Sequence, residues 1–403
     1  MGTAEVAARG GLPRVLVCTG KGGVGKTTTA AALGVDAARA GSRTLLMSTD
    51  GAHSLGDALA VDLHDGPVEV EARLTAEHVS AAHGLSDAWR VVQDYLLGLL
   101  DDVGVDPAVA EELTSLPGAD EIAALVTLRQ RVRAGEWDVV IVDCAPTAET
   151  LRLLALPDSL SWHLRRWLPQ SSTWRPAAAA ALGVPLPGPP VLAAIARWHE
   201  QMADLKEVLR APGSTIRLVT TPERVVTAEA RRTWTSLSLF GFEVDAVHVN
   251  RVFPTGSDWL AGWNEAQADG LREVHESFTG IPVVSMPYLA REPIGADALA
   301  ELALACADVR LTPQRLHRSG PGTAPLAVSE TADGYALSLH VPFVTASDVR
   351  LGRRGDDLLI DVAEHHRVVT LPAALLPLRV SSAGVRDGRL VVTFSGERGR
   401  ASA

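Results

Sequence analysis

Gly20-Lys21-Gly22-Gly23-Val24-Gly25-Lys26-Thr27 satisfies the pattern G-x-x-x-x-G-K-[ST], with a β-rich run, Arg14 to Thr19, before it and an alanine-rich helical stretch, Lys26 to Arg39, after it. Strand, glycine turn and helix in that order make a phosphate-binding loop. The glycines let the backbone curl until successive N–H groups face a β-phosphate, and the helix N-terminus adds its partial positive charge. Lys26 is placed to reach the β- and γ-phosphates of a nucleotide, and Thr27 to ligate Mg²⁺. Lys21 opens the turn and points away from its own loop, so it can neutralise phosphate charge only by reaching into a facing subunit. A cation supplied in that way is worth about 10³ to 10⁵ in rate where an arginine does it.

Outward from the loop the chain alternates. Thr44 to Thr49 and Asp138 to Val142 are continuous apolar runs that end at Asp50 and Asp143, as parallel strands buried on both faces do. Ile216 to Thr220, Ala246 to Val249 and Val283 to Met286 repeat the pattern with helical stretches between them. The expected fold is a doubly wound, mostly parallel α/β sheet of the P-loop NTPase class over residues 13–314, with ligands at the carboxyl ends of its strands. Phosphoryl transfer also needs a carboxylate on the metal side and a group that positions the attacking water. Asp143 suits the first role through Mg²⁺-bound water, and Asp50 the second.

Two insertions interrupt the alternation, at about 74–133 and 156–209, and both read as helical and leucine-rich. The second holds Trp162, Trp167, Trp174 and Trp198, which suit packing between helices or the wall of a hydrophobic groove. Pro176 to Ala196 carries no charge, yet Pro176, Pro185, Pro187, Pro189 and Pro190 break it, so it reads as a short helical piece and an exposed proline loop, not as a membrane span. Residues 315–325 have the texture of a linker. Beyond them, over 326–396, short β runs at Tyr335 to Val341, Leu358 to Val362, Arg367 to Leu371 and Arg389 to Phe394 predict a small all-β sandwich.

Composition sets the outer bounds. The 403 residues are 47% hydrophobic and 21% charged, which suits two or three domains with full cores and excludes a disordered chain. The net charge of −11 lies wholly on the first 324 residues, so nucleic acid is not an expected partner, and a positioning switch of the ParA type on a nucleoid is disfavoured. Cys18, Cys144 and Cys306 stand far apart with no CxxC pair, which points to a reducing, cytoplasmic compartment and gives arsenite no obvious trio of convergent thiolates. Met1 to Arg14 shows no secretory pattern.

At these motifs the sequence resembles the ArsA/Get ATPases, the arsenite-pump ATPases and the ATPases of guided entry of tail-anchored membrane proteins. Gly20 to Thr28 resembles that family's deviant phosphate loop with its signature lysine, Ser48 to Asp57 its first switch and Asp143 to Arg152 its second. Thr221-Pro222-Glu223 and Val249-Asn250 match two further segments, and the resemblance implies that Glu223 contacts nucleotide and that Asn250 reads adenine. It also implies a homodimer with nucleotide near the interface and a helical groove for a hydrophobic client such as a membrane-protein segment, or alternatively an anion or arsenite pump to be energised. Gly51 stands where proline is usual, Ala148-Glu149 replaces Gly-His, and the CxxC zinc clasp is missing, so a dimer must use other contacts. The last domain resembles the α-crystallin domain of small heat-shock proteins. There, Val341-Pro342-Phe343-Val344 stands where Leu-Pro-Gly-Val is common, and Asp387-Gly388-Arg389-Leu390 matches the closing signature. The strand-exchange loop is absent, since only Ala363-Glu364-His365-His366 joins two strands, and His365-His366 reads as a hairpin turn before it reads as a metal pair.

Overall fold

The apolar runs around the glycine loop assemble into one sheet. The computed structural model describes residues 12–48, 54–64, 66–79, 87–102, 104–106, 119–144, 188–254, 261–306, 325–363 and 365–396. Eight strands lie in the order β3-β4-β2-β5-β1-β6-β7-β8: β1 Arg14–Thr19, β2 Thr44–Ser48, β3 Val68–Glu71, β4 Leu74–His78, β5 Val139–Asp143, β6 Ser214–Thr220, β7 Val244–Val252 and β8 Val283–Pro287. All neighbours run parallel except β3 against β4. Period-two alternation sends Val15 and Val17 of β1 to one face and Leu16 and Cys18 to the other, and both faces are covered.

The face holding Leu16 packs on α1 Lys26–Arg39, α2 Ser54–Leu59 and α8 Ala296–Ala305. The opposite face packs on α4 Ala119–Ala134, α5 Pro189–Arg210, α6 Arg224–Leu239 and α7 Ala261–Ser277. The remaining helix, α3 Asp87–Asp102, lies against α5. From β1 the chain passes through α1 on one face of the sheet to β2, and from β5 it passes through α5 on the other face to β6, on the opposite side of β1. That reversal opens a crevice at the carboxyl ends of β1, β5 and β6, where the glycine loop sits.

Two readings of the insertions need correction. Leu74–His78 is a strand of the main sheet, because Leu74 and Ala76 are both wholly buried in it and Glu77 is held by Arg131. Pro189 and Pro190 open α5 and do not belong to a loop, since a proline at the first helical positions loses no bond that the helix would make. Trp198 is buried in the core under α5, whereas Trp162, Trp167 and Trp174 lie outside the described residues. Leu96, Leu97, Leu99 and Leu100 are half-buried on α3. Among the described residues no helix is long and apolar enough to cross a membrane.

The C-terminal domain is a sandwich of a four-stranded sheet, β14-β15-β10-β9, and a three-stranded sheet, β11-β12-β13. Its strands are β9 Leu326–Thr331, β10 Gly334–His340, β11 Val349–Arg354, β12 Asp357–Val362, β13 His365–Thr370, β14 Arg379–Arg386 and β15 Arg389–Ser395, all antiparallel. Leu337, Leu339, Ile360, Val392 and Phe394 point into the shared core. His366 pairs with Asp361 at 2.6 Å, and no cluster of three or more His, Cys, Asp or Glu side chains placed to hold a metal occurs among the described residues.

This sandwich is seated on the end of α6. Leu239, the last residue of that helix, is wholly buried and packs within the sandwich core. Buried Arg367 donates to its carbonyl. Thr235 donates to Pro342 O at 2.7 Å, and the Ser238 hydroxyl lies 3.2 Å from His340 Nδ1. Phe343 takes the left-handed conformation, φ +63°, of the glycine common at its position. A non-glycine residue there costs about 1–2 kcal/mol. In return its ring meets Trp234 at 5.7 Å and Phe278 at 6.1 Å between centroids, with the Arg231 guanidinium 5.8 Å above it.

Candidate nucleotide site

Two glycines of the turn from β1 to α1, Gly20 and Gly25, are there because their surroundings leave no room for a side chain. A Cβ on Gly20 would stand 2.0 Å from the Val219 carbonyl oxygen of β6. At Gly25, which caps α1 with φ +93°, a Cβ would stand 2.1 Å from Nδ2 of Asn250. Two strands on one side of β1 thus press the loop into shape. The Asn250 amide donates to Val24 O at 2.9 Å and accepts from the Arg251 N–H at 2.8 Å. This bracing role was not legible in the sequence, because 226 residues separate the two partners. The Thr29 hydroxyl donates to Gly25 O at 2.8 Å, tying the first turn of α1 to its cap.

The two lysines of the loop part company. Lys26 folds back so that Nζ donates to the Lys21 carbonyl at 3.3 Å, over the mouth of the loop. Lys21 points outward, and its Nζ lies 3.6 Å from Glu229 of α6. Thr27 and Thr28 follow on the first turn of α1, half-buried.

Asp143 ends β5 with only 2% of its surface exposed, beside Cys18 of β1 and Ser48 of β2 in the strand register. The Ser48 hydroxyl approaches its Oδ2 at 3.5 Å. Thr27 and Asp143 offer a hydroxyl and a carboxylate, the hard oxygen donors that Mg²⁺ takes beside phosphate. Glu223 is exposed at the N-cap of α6 on the same crevice. Asp50, Gly51 and the stretch Ala145 to Arg152 lie outside the described residues; of the first switch, Ser54 to Asp57 form the start of α2. Beside α2 an open cleft of about 520 Å³, with Asp57, Asp62 and His78 on its walls, went unread in the sequence.

Neither Cys18 nor Cys306 is a ready thiolate. Burial pushes the Cys18 thiol up to about 12, with the neighbouring Asp143 charge adding to it, and burial pushes Cys306 up to about 11. Cys18 and Cys144 adjoin at the strand ends, where the Cys144 N–H donates to Cys18 O at 3.2 Å; Cys306 closes α8.

The profile of the anion-transporting ATPases matches residues 13–307, and that of an HSP20-like domain found in ArsA matches 332–394. The chain belongs to the anion-transporting ATPase family. Both sequence resemblances therefore hold, for the ATPase domain and for the sandwich. Three relatives align along nearly the whole length of both chains. A Streptomyces coelicolor protein, "Uncharacterized protein SCO2128", is 37% identical over 391 residues, covering 95% of this chain and 97% of its own. A Chlorobaculum tepidum protein named "Putative arsenical pump-driving ATPase" is 31% identical over 398 residues, 96% of each. Mycobacterium tuberculosis "Protein Rv2184c" is 31% identical over 413 residues, covering 94% of this chain and 96% of its own. The shared length includes the sandwich, so ATPase and β domain recur as a unit in these proteins.

Proposed function

We propose that the protein is a Mg²⁺-dependent ATP hydrolase that works as a homodimer and handles a hydrophobic client, such as a membrane-protein segment, in a reducing cytoplasm. The observation that supports the reading is the division of labour between the lysines: Lys26 covers its own loop, while Lys21 is turned out of it beside Glu229; in a dimer Lys21 would serve the nucleotide of the second subunit. Gly20 to Thr28 hold the phosphates by backbone N–H groups and Lys26. Thr27 and, through water, Asp143 hold Mg²⁺, which when bound neutralises charge on the phosphate oxygens. Asn250 uses one N–H and one lone pair on the protein, and keeps one of each for an adenine edge. Glu223 lines the same crevice, and Asp50 orients the attacking water.

The names of several relatives favour a second reading, the energising subunit of an arsenical pump. Against arsenite ligation by this chain stand Cys18 and Cys306, protonated at neutral pH, with Cys306 on a different element from the other two. Asp50→Asn tests the proposal. That variant keeps ATP binding, loses nearly all turnover, and when ATP-loaded captures an apolar peptide of about 20 residues, the length of a membrane span. Turnover near that of the unaltered protein would remove Asp50 from catalysis, and capture that ignores nucleotide would leave the pump reading in its place.

A further inference from the structure

Helix α6 touches both the loop lysine and the sandwich. Its exposed flank carries Glu229 beside Lys21, with the two side chains 40% and 39% accessible and their charged atoms 3.6 Å apart. Two residues on, Arg231 binds Glu273 at 2.6 Å and lies over the Phe343 ring. The next turn carries Trp234 and Thr235, both in contact with the sandwich, and the helix ends at Leu239 inside the sandwich core. Glu229 and the docking residues therefore stand on one rigid element, within about three turns of each other.

We propose that Glu229 is a positioning residue for the trans-acting lysine. It holds Lys21 on its own subunit, and the sandwich, through its grip on α6, sets how readily the lysine is released. This rests on the reading that Lys21 serves the nucleotide of a facing subunit. An exposed ion pair is the right strength for such a hold, because it is weak enough to bias the lysine without trapping it. The sandwich supplies what the pair alone lacks, a fixed place for Glu229, and Phe343 accepts a strained backbone to make that seat.

The test is ATPase rate against concentration of the full-length protein. At low salt Glu229→Gln lowers the concentration for half-maximal rate by about two- to five-fold, the pair's strength expressed as an equilibrium. The plateau rate moves by less, and Glu229→Asp falls between. At about 0.5 M salt the difference closes, because the pair is screened. Phe343→Ala shifts the midpoint in the same direction, and in combination with Glu229→Gln adds less than its separate effect. An unmoved midpoint for Glu229→Gln overturns the proposal, provided mixed Lys21→Ala and Asp50→Asn chains regain activity. Mixed chains that regain none remove the trans role of Lys21 and the proposal with it. Full additivity of the Phe343 and Glu229 changes disconnects the sandwich from the lysine.

Discussion

The two ends of α6 make contacts of opposite kind. At the nucleotide end the helix offers Glu223, exposed at its N-cap, and the half-exposed Glu229, which meets Lys21 of the loop through charge across 3.6 Å. At the far end it offers Trp234, Ser238 and Leu239, each at most 5% exposed, which meet the sandwich through apolar packing, ring contacts and buried hydrogen bonds. Exposed ion pairs are weak and exchange with solvent, whereas a buried side chain carries several kcal/mol. One helix thus has an end built to let go and an end built to hold. A β domain joined only by its linker would swing free of the ATPase; this one is part of the same packed body, because its core is completed by a residue from the other domain.

The largest effect is expected where that core is shared. Leu239→Ala removes a wholly buried side chain and should cost about 2–5 kcal/mol, as leucine truncation in cores does. The loss should appear in the sandwich, whose amides would exchange hydrogen faster while those of β1, β5 and β6 keep their protection. Hydrogen exchange by mass spectrometry separates the two. Equal loss of protection in both domains would show that they unfold as one unit, and unchanged protection would remove Leu239 from the sandwich core.

Much of this was legible. The helix Lys26–Arg39 begins and ends where the loop and its alanine run said, and the strands ending at Ser48 and Asp143 follow from apolar runs that only a doubly covered sheet can bury. The unread strands of the sandwich, β9, β11 and β14, have a common cause. Leu326 and Val328 of β9 are 36% and 41% exposed, Arg379 to Ala383 of β14 are exposed, and β11 alternates charge with half-burial, so none shows the apolar signal by which strands are found. The site was legible where one segment builds it and illegible where distant segments meet. Nothing near Glu229 announces Lys21, and nothing near Asn250 announces Val24. Phe343 was visible as a departure from glycine, but its reason, a ring pressed on Trp234, exists only in the folded chain.

Phe343 gives the next prediction, smaller and opposite to habit. Both Phe343→Ala and Phe343→Gly lose the contacts with Trp234 and Phe278, about 0.5–1.5 kcal/mol for each aromatic pair. Alanine keeps the left-handed strain at φ +63°, about 1–2 kcal/mol, while glycine relieves most of it. Urea melts should therefore rank the glycine variant above the alanine variant by about 1 kcal/mol, although glycine elsewhere is the worse substitution. The reverse order would show that residue 343 relaxes out of the left-handed region once its ring is gone, and that the seat is softer than its contacts suggest.

The last effect concerns acid, and only the holding end should feel it. His340 lies at the seat, its ring 5.5 Å from Trp234 and its Nδ1 facing Ser238, and burial, with the Arg389 charge, lowers its pKa from 6.5 to about 4. Folded protein keeps this imidazole neutral through a range in which the unfolded chain has already protonated it. Between about pH 6.5 and 4 the unfolded state binds more protons, so stability rises with pH there and is lost as pH falls. The ring is partly open to solvent, which reduces the contribution to about 1–2 kcal/mol across that window. His248, buried in β7 and lowered to about 3, gives the ATPase domain its own slope, so the comparison must be made on one variant. His340→Asn removes the titrating ring and should flatten the pH dependence of the sandwich's hydrogen-exchange protection between pH 6.5 and 4.5, leaving that of the ATPase sheet as it was. If the sandwich keeps its full acid sensitivity without His340, the histidine at the seat is already hydrated in the native protein, and the end of α6 that holds is wetter than its packing implies.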